Sequence, residues 1–203
     1  MSIWNKFKRT VENKFPNFEG ALEKGVSIDQ ITSFESNYKL SLPKDFKEMY
    51  QASNGQNNKV NAYFFGMEVL SLEGIISAID LQLSVMDDLA EEWDMCSSNP
   101  VDHIKLGYVN PGWVPIFHGG SGNYLGVDLD PGPTGTIGQI INFGRDDEDK
   151  FVLADSLESF LTQCIDKIES GEHINYNEEY KMYFYTDHYF VDALIQECLR
   201  KNA

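Results

Sequence analysis

Apolar residues recur along this chain with two different periods, and the change falls near Pro100. Before it the spacing is helical. Ile28, Ile31, Phe34 and Tyr38 share one face of a helix opened by Ser27, whose distance to Gln30 fits a capping box. Phe46, Met49 and Tyr50 make the next stripe; Pro43 suits its first turn, and Asn54 and Gly55 are expected to stop it. Ala62 to Phe65 is a short apolar segment. Ile75, Ile76, Ile79, Leu83, Met86, Leu89 and Trp93 then predict one long helix from about Leu72 to Trp93.

Beyond Pro100 the period shortens to two. Trp113 to His118 reads as a strand in which Pro115 signals an edge or a bulge. Leu125, Val127 and Leu129 alternate with Gly126, Asp128 and Asp130, which predicts one buried and one polar face. Ile137 to Phe143 and Phe151 to Ala154 follow, separated by the turn RDDEDK. Short connections between consecutive strands imply an antiparallel meander. Asp155 and Glu158 are expected to open a helix whose inner face carries Leu157, Phe160, Leu161, Cys164, Ile165 and Ile168. The two ends add amphipathic helices, one on Ile3, Trp4, Phe7, Val11 and Phe15, the other on Phe190, Val191, Leu194, Ile195, Cys198 and Leu199. The expected fold class is α+β, a mostly antiparallel sheet flanked by helices. Its expected organisation is a basic amphipathic helix over 1–25, an α+β domain over 26–170 and an aromatic-rich helical extension over 171–203.

Charge narrows the function. The 203 residues carry a formal net charge of −16. Nucleic-acid binding is disfavoured, because phosphate contacts need a basic face. A basic protein partner suits this balance, since opposite fields speed encounter and select the partner. Residues 1–15 run the other way, with Lys6, Lys8, Arg9 and Lys14 against Glu12. Such a helix either lies on a membrane surface or docks on its own domain, and docking is the reading taken here. No run is long and apolar enough to span a membrane, and no signal-peptide core is present. Cys96, Cys164 and Cys198 are isolated, which gives neither a disulfide framework nor a CxxC metal pair and makes the cytoplasm the expected compartment.

The stretch GGSGNYLGVDLDPGPTG, residues 119–135, is the sharpest candidate for chemistry. A phosphate cradle needs its glycines to lead from a strand into a helix N-terminus. Here they lead from strand to strand, so the stretch reads as a hairpin. DLDPG lacks the third oxygen ligand and the terminal Glu of a calcium loop. Asp128 and Asp130 alternate onto one face and Asp146 and Asp147 crowd the next turn; all are expected to face solvent and ionise. His118 near a polar hairpin is the one histidine considered for acid–base work, and a hydrolase using His118 and Asp128 is the weakest of three readings. No catalytic residue, metal or cofactor is expected. Candidate partner contacts are Asp128, Asp130, Asp146 and Asp147, with Asp87, Asp88, Glu91 and Glu92 as a rival patch. Tyr176, Tyr180, Tyr183, Phe184, Tyr185, Tyr189 and Phe190 crowd the tail and read as packing on the domain, or as a partner surface.

An ordered set of weaker motifs adds a resemblance. Glu35 lies on an early helix, Leu42 and Pro43 open the next, and Asn54 and Gly55 close it. Trp113 and Pro115 form a Trp-x-Pro strand, Gly122 and Asn123 a turn before Asp128, and Gly138 and Gln139 a further pair. In that order over 28–161 they resemble the SUKH superfamily, typified by the fungal cell-wall assembly (glucan-synthesis) regulator. The resemblance implies an α+β fold and binding without catalysis, with those motif residues in structural roles. Bacterial members look like immunity proteins that neutralise polymorphic toxins, many of them nucleases; fungal members act as regulatory hubs, usually with long disordered arms. This stretch of chain shows no such arms, so the expectation is an immunity protein that blocks a basic toxin domain. A cell-wall or signalling scaffold is the alternative.

Overall fold

Hydroxyl side chains just ahead of apolar runs start most of the helices. The computed structural model describes residues 1–86, 95–185 and 189–201. Helix α1 (Ile3–Lys14) is capped by Ser2, and α2 (Ile28–Tyr38) by the Ser27–Gln30 capping box that the sequence predicts. Helix α3 (Lys44–Ala52) begins directly after Pro43. Helix α4 (Leu72–Ser84) is capped by Ser71, and α5 (Leu157–Ser170) by Ser156, one residue later than the predicted Asp155. The last helix is α6 (Phe190–Lys201).

Six strands make the main sheet: β3 (Glu68–Val69), β4 (Ser97–Asn99), β5 (Trp113–His118), β6 (Asn123–Asp128), β7 (Gln139–Gly144) and β8 (Asp149–Ala154), in the order β3-β5-β6-β7-β8-β4. The meander β5 to β8 is antiparallel as expected, and GGSGN is the hairpin turn between β5 and β6. Strand β4 adds a parallel edge to β8, which no local pattern announces. A register shift between Pro115 and Phe117 confirms the bulge reading of Pro115. Two smaller pairs complete the fold, β1 (Leu22–Lys24) with β2 (Ser53–Gln56), and β9 (Ile174–Asn177) with β10 (Met182–Tyr185).

Four expectations change. Helix α4 ends at Ser84, well short of Trp93, and residues 87–94 lie outside the described ones. Its last turn carries no cation to complement the helix dipole. Residues 174–185 form a hairpin before α6, so the tail is not wholly helical. The alternation of β6 does not give a polar outer face: five of its six residues and all six of β7 are buried. Central strands covered on both sides lose that alternation. Finally, Asn54 and Gly55 lie within β2, beyond the end of α3.

The apolar segment around 62–65 is a buried turn at the centre of the core. Phe64 and Met67 exchange backbone hydrogen bonds across it, with Phe65 and Gly66 at positive φ. Phe64 stacks on Phe117 of β5 at 3.8 Å and lies 5.5 to 5.8 Å from Phe7 of α1, Phe160 of α5 and Phe190 of α6. Phe65 stacks on Phe190 at 4.0 Å and meets Tyr183 of β10 edge-on at 5.0 Å. A buried turn leaves backbone groups needing partners. Gln56 supplies them: its Oε1 accepts from the N–H groups of Tyr63 and Val69, and its Nε2 donates to the Asn61 carbonyl. Helix α1 is part of the same core. Trp4, Phe7 and Val11 are fully buried, and the Trp4 indole N–H donates to Ser53 Oγ at 3.1 Å.

Truncating the central ring in Phe64→Ala should lower unfolding free energy by about 3–5 kcal/mol in urea titrations. A smaller loss would show that the neighbouring rings close over the gap. Gly55 and Gly66 both hold positive φ, at 78° and 83°. A Cβ on Gly55 would meet Ser71 N at 2.5 Å, whereas at Gly66 its nearest neighbour lies 3.9 Å away. Gly66→Ala should therefore cost about 1 kcal/mol and Gly55→Ala about 1–3 kcal/mol more. Equal losses in the same titration would remove close approach as the constraint at Gly55.

Candidate partner-binding site

Antiparallel register sets the neighbours of Asp128. It stands opposite Trp113 on β5 and Gln139 on β7. The 100–105 segment folds over this end of the sheet, tied to 132–134 by backbone bonds from Gly132 N to the His103 carbonyl and from Thr134 N to the Asp102 carbonyl. Asp128 is consequently fully buried, which corrects its expected place on a solvent-facing contact surface. Gln139 Nε2 donates to Asp128 Oδ2 at 2.8 Å and to the His103 carbonyl at 2.9 Å, while the Asp130 N–H donates to Asp128 Oδ1 at 3.0 Å. Burial pushes the Asp128 carboxyl up to about 6, and the bonds from Gln139 and Asp130 restrain the rise.

Asp130 lies beyond the strand end and is half exposed; Lys105 pairs with its Oδ1, and Asn110 Nδ2 donates to Oδ2 at 3.2 Å. The β7–β8 turn holds a second polar group. Asn123 clasps Asp146, accepting from its N–H at 3.0 Å and donating to Oδ2 at 3.1 Å. Asp146 is exposed and paired with Arg145 at 3.1 Å, and hydrogen bonds from Arg145 and Asn123 hold its carboxyl below the usual range. Asn142, buried on β7, donates to Asp147 Oδ1 and to the Asp149 carbonyl and accepts from the Phe151 N–H. Burial raises the Asp147 carboxyl; the hydrogen bond from Asn142 and the charge of Lys150 restrain the rise, and the carboxylates of Asp146 and Asp192 add to it. Lys150 is fully buried behind this turn. Its Nζ donates to the Asp147 carbonyl at 2.8 Å and lies 5.4 Å from the Trp113 ring.

The predicted residues therefore divide by location. Asp130, Asp146 and Asp147 reach the surface near the strand ends; Asp128 does not. Asp87, Asp88, Glu91 and Glu92 lie outside the described residues. The motif residues hold backbone in place. Glu35 Oε1 accepts from the Leu42 N–H at 2.7 Å and pairs with Lys47 at 2.8 Å, joining α2 to the start of α3 beside Pro43. Burial alone would raise the Glu35 carboxyl, but Lys47 and the Leu42 N–H outweigh it and leave it lowered. Asn54 Oδ1 accepts from the Leu72 N–H and its Nδ2 donates to Glu73, which fixes the start of α4. Gly122 sits in the β5–β6 turn and Gly138 directly before β7. Sequence reasoning missed Gln56, Asn142 and Lys150. The signal for Asn142 was present, a polar residue inside the apolar run IINF.

His118 stands opposite Tyr124, at the far end of β5 from Trp113 and Asp128. Five residue steps along the strand separate the two ends, roughly 16 Å. That spacing removes the His118–Asp128 hydrolase reading. Among the described residues, no three His, Cys, Asp or Glu side chains gather as a metal site, and no helix is long and apolar enough to cross a membrane.

The raised Asp128 carboxyl fixes a pH dependence. The folded state holds this proton more tightly than the unfolded chain does. Its contribution is thus fully present below the unfolded value of 3.8 and is lost as pH rises through about 6. Relative to Asp128→Asn, the native protein should lose roughly 2 kcal/mol of stability between pH 4 and pH 7. Urea midpoints of both proteins across that range test this, since their other carboxylates titrate alike. Parallel curves would place the Asp128 carboxyl in an ordinary range.

The sequence model of the SMI1 / KNR4 family (SUKH-1) matches residues 25–163. The chain is 29% identical over 181 residues to the cell wall biosynthesis/cell cycle regulator smi1 of Schizosaccharomyces pombe, a match covering 83% of this chain and 36% of that protein. It is 28% identical over 204 residues to the glucan synthesis regulatory protein of Neurospora crassa, covering 84% of this chain and 38% of that one. To the cell wall assembly regulator SMI1 of Saccharomyces cerevisiae it is 24% identical over 190 residues, with 77% of this chain and 38% of that protein covered. The chain thus spans little more than a third of the length of these relatives. The family match takes in the Glu35–Leu42 strut, the Asn54–Leu72 link and the Asp128–Gln139 pair, and the chain belongs to the SMI1/KNR4 family (SUKH-1).

Proposed function

We propose that this chain is a non-catalytic, protein-binding regulator of cell-wall synthesis that acts in the cytoplasm. The likeness to relatives named as regulators of wall assembly and glucan synthesis carries this reading. It replaces toxin neutralisation as the leading reading. The latter keeps the charge argument alone, which both readings share, and the shortness of the chain no longer favours it. Use of the motif residues supports binding without catalysis: Glu35, Asn54, Asp128 and Gln139 spend their polar atoms on neighbouring backbone, on one another or on the side chains of Lys47 and Glu73. A net charge of −16 favours a partner that presents a basic surface. Asp130, Asp146 and Asp147 are the proposed contacts, since Asp128 is enclosed.

Exchange into a relative tests the proposal. Residues 1–203 would replace the matching part of fission-yeast smi1, with the rest of that protein retained. The chimaera should restore wall glucan content and resistance to a wall-digesting glucanase in cells lacking smi1. A chimaera that accumulates normally yet restores neither would overturn the regulator reading.

A further inference from the structure

Leu81 and Val85, at the end of α4, are 63% and 36% exposed. They form one wall of a groove of about 690 Å³. Tyr108, Val109 and Tyr124 also line it, so its surface is mainly apolar.

Tyr124 lines a second hollow as well, a notch of about 190 Å³. Asp146, Asp147 and Asp192 face into this notch beside Tyr189, and among the described residues lining it there is no lysine or arginine. Arg145, on the groove side, is already paired with Asp146. Asp192 therefore has no cation from the notch lining beside it, and Asp147 has only the buried Lys150 behind its turn. An ammonium or guanidinium entering between two tyrosines and these carboxylates gains both charge pairing and ring contact. The groove selects an apolar side chain, the notch a basic one, and the shared Tyr124 places them side by side.

We propose that the groove and the notch together bind a segment of a partner protein that carries an aliphatic or aromatic anchor next to a lysine or arginine. This rests on the protein-binding reading above and gives it a surface and a partner chemistry. The interface is small, so exchange is fast and affinity modest. Its charged half weakens with added salt.

The test uses a random 12-residue peptide library displayed on phage and panned against the full chain at low salt. Enriched peptides, synthesised with a fluorescent label, are then titrated by anisotropy. The expected consensus is one large apolar residue with Lys or Arg within a few positions. Val85→Glu in the groove and Asp192→Asn in the notch should each weaken binding about tenfold. Glu169→Gln, an exposed charge loss on α5, should change it less than about twofold. All three positions are exposed, and thermal melts check folding; Leu81→Asn substitutes for Val85→Glu if that variant melts early. No enrichment, a consensus without basic residues, or equal loss in Glu169→Gln would overturn the proposal. The wall-restoration assay separates the two ideas. A working chimaera with no peptide binding removes this groove and leaves the regulator reading, and peptide binding without restoration does the converse.

Discussion

The stack of Phe64 on Phe117 and of Phe65 on Phe190 is the contact on which the remaining architecture depends. Through two adjacent rings it joins a sheet strand, the first helix, the helix after the sheet, the C-terminal hairpin and the last helix. Those elements come from both ends of the sequence and from its middle. Apolar rings give this joint its energy, but a turn so deep also removes peptide groups from water. Gln56 resolves the conflict by offering an acceptor and a donor to the turn from the neighbouring strand. One polar side chain thus allows the most apolar part of the molecule to be a turn.

The same division of labour recurs elsewhere in the domain. Glu35, Asn54, Asp128, Gln139 and Asn142 each satisfy groups that packing has enclosed. These side chains are a condition for covering the sheet on both faces, because unpaired polar groups there would cost more than the packing returns. This gives the ordered motifs of the family a physical reason. They mark where the chain changes direction, most of them beneath other chain.

What is left for recognition is a surface made of unlike pieces. The β7–β8 turn contributes the carboxylates of Asp146 and Asp147, the β5–β6 turn contributes Asn123, the end of α4 contributes exposed aliphatic groups, and the α6 N-terminus contributes Asp192. No two of these pieces are close in sequence, apart from the paired turns. Their nearness is a product of the fold, and the proposed binding face is an assembled one and not any single motif.

Elements whose signal is local were legible in the residue order alone. Periodicity set the positions of most helices and of the meander, the capping box placed α2, Pro115 marked the bulge, and glycines made 119–123 a turn and not a phosphate cradle. The ordered motifs were enough to indicate the family and its α+β fold. Features that depend on neighbours distant in sequence emerge only in the folded chain. The burial of Asp128 follows from the 100–105 segment crossing above it, and the polar face expected of β6 vanished because both sides of that strand are covered. Parallel pairing of β4 with β8 likewise has no local mark. Even the contrast between Asp128 and Asp130, two residues apart, is of this kind: alternation puts both on one face, but only the end of the strand and its cover determine which meets water. Local patterns fix backbone conformation because their causes lie within a few residues; exposure and charge state depend on what folds back over a site, and that is known only once the chain has closed.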